Sequence, residues 1–140
     1  MATSPLSIRF DENVLDRLRR AATGRDSTPS GLAQRLVDEG LRSLEFPGIV
    51  FRDGPSGRRA GLAKGPDVWE VVAAVRSSEA RGEAAIESAA TELSLTTSAV
   101  RSALAYYGMY SAEIDAEIDA NERAAESAHQ AWQAQQRLLA

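Results

Sequence analysis

Leu6-Ser7-Ile8-Arg9-Phe10-Asp11-Glu12 is the stretch whose reading decides the fold. Leu6, Ile8 and Phe10 alternate with Ser7 and Arg9, the period of a strand with one apolar and one polar face. Asp11 then stands where a helix N-cap belongs, Glu12 falls in the first turn, and Val14, Leu15, Leu18 and Ala22 recur at helical spacing. This helix is expected to end near Gly24. Thr28 followed by Pro29 marks the N-cap and first position of a second helix, whose apolar stripe is Leu32, Leu36, Val37, Leu41 and Leu44 before Pro47-Gly48 closes it. One short strand and two helices bury too little to stand alone, and an unpaired strand leaves a row of backbone donors and acceptors open. A second copy of the chain supplies what is missing, so residues 1–46 are expected to form an intertwined homodimer.

The order strand, helix, helix and the run from Leu6 to Glu12, with Leu15 and Leu18, resembles the ribbon-helix-helix family, which includes CopG-like repressors and VapB-like antitoxins. The resemblance implies that two chains pair their strands into an antiparallel ribbon that enters the major groove of double-stranded operator DNA, polar face toward the base edges. On matching positions Ser7 and Arg9 would read bases, Arg9 through a bidentate guanidinium contact to guanine. The family often has another polar reader two residues earlier. This chain has Pro5 there, and Thr3 is the substitute. The resemblance also places a DNA phosphate on the free amides that open the second helix, at Thr28 and Ser30, with Pro29 donating nothing. The plainer alternative makes Ser7 and Arg9 a solvated edge and Thr28 only a cap.

Working outward, Gly48-Ile-Val-Phe-Arg-Asp and Arg58-Arg-Ala-Gly-Leu-Ala flank Gly54-Pro55-Ser56-Gly57 and predict a hairpin over residues 48–63. Arg52, Arg58 and Arg59 on it are candidates for DNA-backbone contact, against a solvated hairpin. A helix opens near Asp67 and sends Val68, Trp69, Val71, Val72 and Val75 toward a core. Residues 86–105, with small Ala89 and Ala90, a break at Ser94, and Leu95, Val100 and Leu104 facing inward, have the rhythm of a helix-turn-helix. Its second helix would present Thr96, Thr97, Ser98, Arg101 and Ser102 as a possible second DNA-binding surface, and the same pattern also suits a purely structural helix pair. With Gly-Ile-Val-Phe-Arg-Asp-Gly-Pro, Arg-Arg-Ala-Gly-Leu, Pro-Asp-Val-Trp-Glu-Val-Val and Ala-Leu-Ala-Tyr-Tyr, the stretch from Pro47 to Tyr110 resembles a bacterial antitoxin domain of undefined function. Its members resemble VapB-like antitoxins paired with PIN-like ribonuclease toxins.

From Ser111 the chain runs without proline or glycine and predicts one long helix to residue 140. Ile114, Ile118, Ala125, Ala128, Trp132 and Leu139 follow a heptad-like seam, interrupted by Asn121 and Gln135. The resemblance implies that this helix covers the toxin, with Ile114, Ile118, Trp132 and Leu139 as contacts. Glu113, Asp115, Glu117, Asp119 and Glu122 would then face a basic RNA-binding cleft; a solvated acidic face is the alternative.

Bulk composition bounds these readings. The net charge of -4 conceals a split: residues 1–64 carry +3 and residues 65–140 carry -7, an asymmetry that suits phosphate at one end and another partner at the other. Absence of cysteine removes disulfides, thiolate metal sites and cysteine nucleophiles. No apolar run approaches the length of a membrane span and the start Met-Ala-Thr-Ser-Pro lacks signal-peptide character, so a soluble, cytoplasmic protein is expected. His129 is the single histidine, no triad or metal spacing accompanies it, and neither catalysis, metal nor cofactor is expected. The expected fold class is mainly α with short β: a ribbon-helix-helix arm over 1–46, a β-hairpin plus helix-turn-helix domain over 47–110, and a long C-terminal helix over 111–140. The function expected is a type II antitoxin and DNA-binding autorepressor that neutralises a PIN-like ribonuclease toxin, with a stand-alone ribbon-helix-helix regulator as the alternative.

Overall fold

The computed structural model describes residues 2–54 and 57–140, so the centre of the hairpin turn, Pro55-Ser56, lies outside the described residues. The protein is mainly helical: α1 (Glu12–Thr23), α2 (Pro29–Glu45), β1 (Ile49–Gly54), β2 (Gly57–Leu62), α3 (Val68–Ser77), α4 (Glu83–Leu93), α5 (Thr97–Met109) and α6 (Ser111–Leu139). It divides into two compact units, Met1–Leu41 and Arg42–Ala140, a boundary that falls inside α2. Among the described residues no helix is long and apolar enough to cross a membrane.

In the first unit, α1 begins after Asp11 and stops at Gly24. Asp26 takes a left-handed conformation, φ 50°, to turn the chain, a position where the short polar side chain of Asp lowers the steric cost. Thr28 Oγ1 accepts the Gly31 amide at 3.0 Å and so caps α2, while Pro29 occupies the first helical position. The apolar residues fully buried here are Ala22 and Leu32. Leu6, Ile8 and Phe10 sit in a segment with no secondary structure, and the expected strand is not formed within one chain. Their side chains are exposed, Leu6 to 82%.

The second unit has a real core, built around Tyr106, Ile49, Val68, Val71, Val100 and Ile114. β1 and β2 pair antiparallel from Ile49↔Leu62 to Gly54↔Gly57, with Arg52 directly opposite Arg59. α3 packs on β2, α4, α5 and α6, and α5 closes against both strands. Ala89 and Ala90 are buried, which lets α4 approach its neighbours closely. Between α4 and α5 Ser94 adopts φ 56°, ψ 45°, the left-handed geometry that glycine reaches without a Cβ penalty, and Leu95 N returns to Ala90 O at 2.8 Å. Thr96 then caps α5 by accepting from Ala99 N at 3.1 Å. The break expected at Ser94 therefore forms through serine paying a modest conformational cost.

Candidate nucleic-acid interface and partner helix

The first unit gathers Thr3, Ser7 and Arg9 on one exposed segment, all three open to solvent. Beside it runs an apolar groove between α1 and α2, lined by Phe10, Val14, Leu18, Ala21, Leu36 and Val37. Val14, Leu36 and Val37 are about half exposed. At the start of α2 the Gly31 amide is taken by Thr28, and Ser27 Oγ donates to Thr28 O at 3.3 Å. This leaves the Ser30 amide and hydroxyl, with the Thr28 hydroxyl proton, as the groups able to meet an anion at the helix N-terminus.

The hairpin arginines are differently employed. Asp67, buried at the N-terminus of α3, receives Arg52 Nη2 at 3.0 Å and stands 2.8 Å from Arg59 Nε. Arg52 also donates to the carbonyls of Leu62 and Gly65, at 3.2 and 3.0 Å. Both guanidiniums lie across glycines of the opposite strand: Arg52 occupies the space a Cβ on Gly61 would fill, and Arg59 that of a Cβ on Gly54. Arg58 pairs with Asp53 at 3.2 Å. The three arginines considered for DNA are thus committed to carboxylates of their own domain, Arg52 and Arg59 as parts of the fold.

Of the candidate second DNA-binding helix, Thr96 is engaged as the α5 cap, Ser102 donates to Ser98 O at 3.1 Å, and Arg101 is ion-paired with Glu83. Thr97 and Ser98 remain exposed. The Arg101–Glu83 pair is on the surface, where such pairs contribute about 0–1 kcal/mol, so it would yield readily to a phosphate.

α6 corrects the expected contact set. Ile114 and Ile118 are buried in the core of their own unit and are removed as candidate toxin contacts, because the first two turns of α6 pack on α3 and α5. Trp132 and Leu139 are exposed. Much of the acidic face is also spent internally. Glu113 accepts Arg42 at 3.1 Å and the Tyr106 hydroxyl at 2.8 Å, and Arg42 Nη1 donates to that hydroxyl as well, at 2.8 Å. The Arg42 guanidinium lies 4.1 Å from the Tyr110 ring centroid. Burial and the neighbouring carboxylate hold the Tyr106 phenol well above its ordinary range. Arg76 bonds Asp115 at 2.5 Å and Tyr107 at 2.6 Å, and the guanidinium holds the Asp115 carboxyl below the usual carboxylate range.

Glu117 is the exception. Its Oε2 is buried without a hydrogen-bond partner, and burial, reinforced by Glu113 and Asp67 against Arg59, pushes its carboxyl up to about 7. A raised folded-state pKa means that the folded protein holds this proton more tightly than the unfolded chain. Stability from this group is full below about pH 4.5 and is lost as pH rises through about 7. Glu117→Gln is therefore expected to raise stability at pH 8 by about 1–2 kcal/mol, discounted for partial exposure, with little change at pH 4.5. Thermal melts across this range check it; equal Tm gains at both ends would contradict the assignment.

Among the described residues no group of three or more His, Asp or Glu side chains is placed to hold a metal ion. The Arg52–Asp67–Arg59 and Arg42–Tyr106–Glu113 clusters are not legible in the sequence, since each joins residues from different elements with no shared periodicity, Arg42 lying 64 and 71 positions from its partners. No protein-family model, curated protein or solved structure matches the chain.

Proposed function

We propose that the chain is a type II antitoxin that binds operator DNA as a homodimer and neutralises a PIN-like ribonuclease toxin through its C-terminal helix. The observation that carries this reading is the first unit's inability to satisfy itself: a segment without secondary structure, alternating in sequence and with exposed Leu6, Ile8 and Phe10, lies beside an apolar groove, and Ala22 and Leu32 are the unit's fully buried apolar residues. Each large apolar side chain fully buried contributes about 1.5–3 kcal/mol. Pairing two such segments would satisfy their backbone groups and cover the grooves together. In that ribbon Ser7 and Arg9 share the face opposite Leu6, Ile8 and Phe10, with Thr3 nearer the chain start, and Thr28 and Ser30 approach the backbone phosphates. The free outer part of α6 supports a separate protein partner.

Arg9→Ala is expected to weaken operator binding by about 1–3 kcal/mol, or roughly 5- to 150-fold, and to relax preference at one base pair. A gel-shift titration at fixed salt measures this. Unchanged operator affinity removes Arg9 as a base reader.

A further inference from the structure

α6 changes character at Asn121. On its first turns Ile114 and Ile118 enter the core, Glu113 and Asp115 meet Arg42 and Arg76, and Glu117 is half buried. From Glu122 to the end every residue is exposed, although the helix continues unbroken to Leu139. The charged side chains of this outer part are Glu122, Arg123, Glu126 and Arg137, which sum to zero. At 3.6 residues per turn these four fall on one side of the helix, where Glu126 Oε1 also accepts from Gln130 at 3.1 Å. The other side, about half the circumference by the same geometry, has no charge. It bears two adjoining rows, Ala128, Trp132 and Leu139 on one and Ala124, Ala131 and Leu138 on the next, with Gln135 between them and Asn121 at the inner end of the first. Trp132 is 55% exposed, Leu138 86% and Leu139 78%.

We infer that residues 121–139 seat in an uncharged, concave groove of a partner protein that encloses half the helix circumference, with Trp132 as the central anchor. This deepens the toxin-binding reading, on which the identity of the partner as a nuclease rests, and it replaces the basic cleft by an uncharged one. A basic cleft lacks its counterpart, because the acidic residues lie mainly on the packed base of α6 and two of them are held by Arg42 and Arg76. A second α6 fits poorly as occupant. Its seam would consist of Ala125, Ala128, Trp132 and Leu139 broken by Asn121 and Gln135. A tryptophan buries about 150–250 Å² and alanines add little, far below the roughly 800 Å² per partner of a stable interface. A two-helix seam would also leave Leu138, on the second row, in water. A groove covers both rows, and the alanines allow its walls to approach the helix backbone.

The test places a photo-crosslinking amino acid singly at positions 124, 128 and 131 of the uncharged side and at 123, 126 and 137 of the charged side, in the full-length chain within the cells that make it. Crosslinks to one heterologous protein from both uncharged rows, and none from the charged side, are expected. With that protein purified, binding should change less than about 3-fold between 50 and 500 mM NaCl, since apolar contact is not screened. Trp132→Ala should weaken it at least 30-fold, the loss typical of an anchor residue. Alanine is the better helix former, so that variant keeps the helix. Crosslinks chiefly to a second copy of this chain, crosslinks from the charged side, no heterologous crosslink, or a tenfold loss of affinity at high salt would each overturn the inference. Should the crosslinked partner meet every criterion and have no nuclease activity, the groove stands and the toxin reading falls.

Discussion

Tyr106→Ala is expected to cost about 3–5 kcal/mol of folding free energy, the range for truncating a buried aromatic, a large fraction of the 5–15 kcal/mol that typically holds a domain together. Tyr106 is fully buried in the core of the second unit. Its ring meets Phe46 edge-on at 5.5 Å, Phe51 at 6.3 Å and Tyr110 at 4.7 Å, so truncation empties the centre of an aromatic cluster. The hydroxyl adds a separate contribution. It accepts from Arg42 and donates to Glu113, and Arg42 keeps its direct bonds to Glu113 if the hydroxyl is lost. Tyr106→Phe should then cost about 1–2 kcal/mol, the loss of a charge-assisted hydrogen bond. Urea denaturation of both variants measures the two parts. Equal losses would mean that the hydroxyl, not the ring, dominates, contrary to the packing.

Asp67→Asn is expected to lower stability by about 2–4 kcal/mol. Removing one partner of a buried ion pair costs about 3–5 kcal/mol, and here one carboxylate serves two guanidiniums. The value is reduced because Arg52, with 36% of its side chain exposed, can turn to water. Arg59, at 22%, is held closer, across Gly54. The substitution also removes a negative charge from the N-terminus of α3. Because Asp67 helps raise the Glu117 carboxyl, the same variant should move the pH-dependent fall in stability to lower pH. Denaturation at pH 8 with an unchanged m-value gives the loss. A loss below about 0.5 kcal/mol, the scale of an ordinary surface substitution, would demote the Arg52–Asp67–Arg59 cluster from a structural clamp to a surface ion pair.

The elements were legible in sequence wherever local chemistry punctuates the chain. Asp11 and Gly24 bracket α1, Thr28-Pro29 opens α2, and the glycines at 54 and 57 bracket the hairpin turn. Ser94 marked a turn even without glycine, because the apolar rhythm changes phase there. The segment from Leu6 to Phe10 was readable as a strand pattern, yet a strand needs a neighbour and a single chain offers none. Ion-pair choice was not legible. Arg42 finds Glu113 across 71 positions and Arg76 finds Asp115 across 39, distances over which no periodicity speaks. Nor does a heptad-like pattern tell whose surface it faces. Ile114 and Ile118 continue the same spacing as Trp132 and Leu139, and only tertiary packing separates residues that fill their own core from residues that do not.

The unbroken passage of α6 out of its domain also fixes a length and a phase. At about 1.5 Å per residue, the span from Ile118 to Leu139 is a rod of roughly 30 Å whose base is clamped by two isoleucines. A single deletion between Asn121 and Trp132 would shorten that rod trivially but rotate everything beyond it by about 100°, carrying Trp132 out of its own row and into that of Ala131. Removal of seven residues would nearly restore the angle while moving the tryptophan inward by about 10 Å. Against the groove proposed above, the outer helix should therefore be gauged by register as well as by composition.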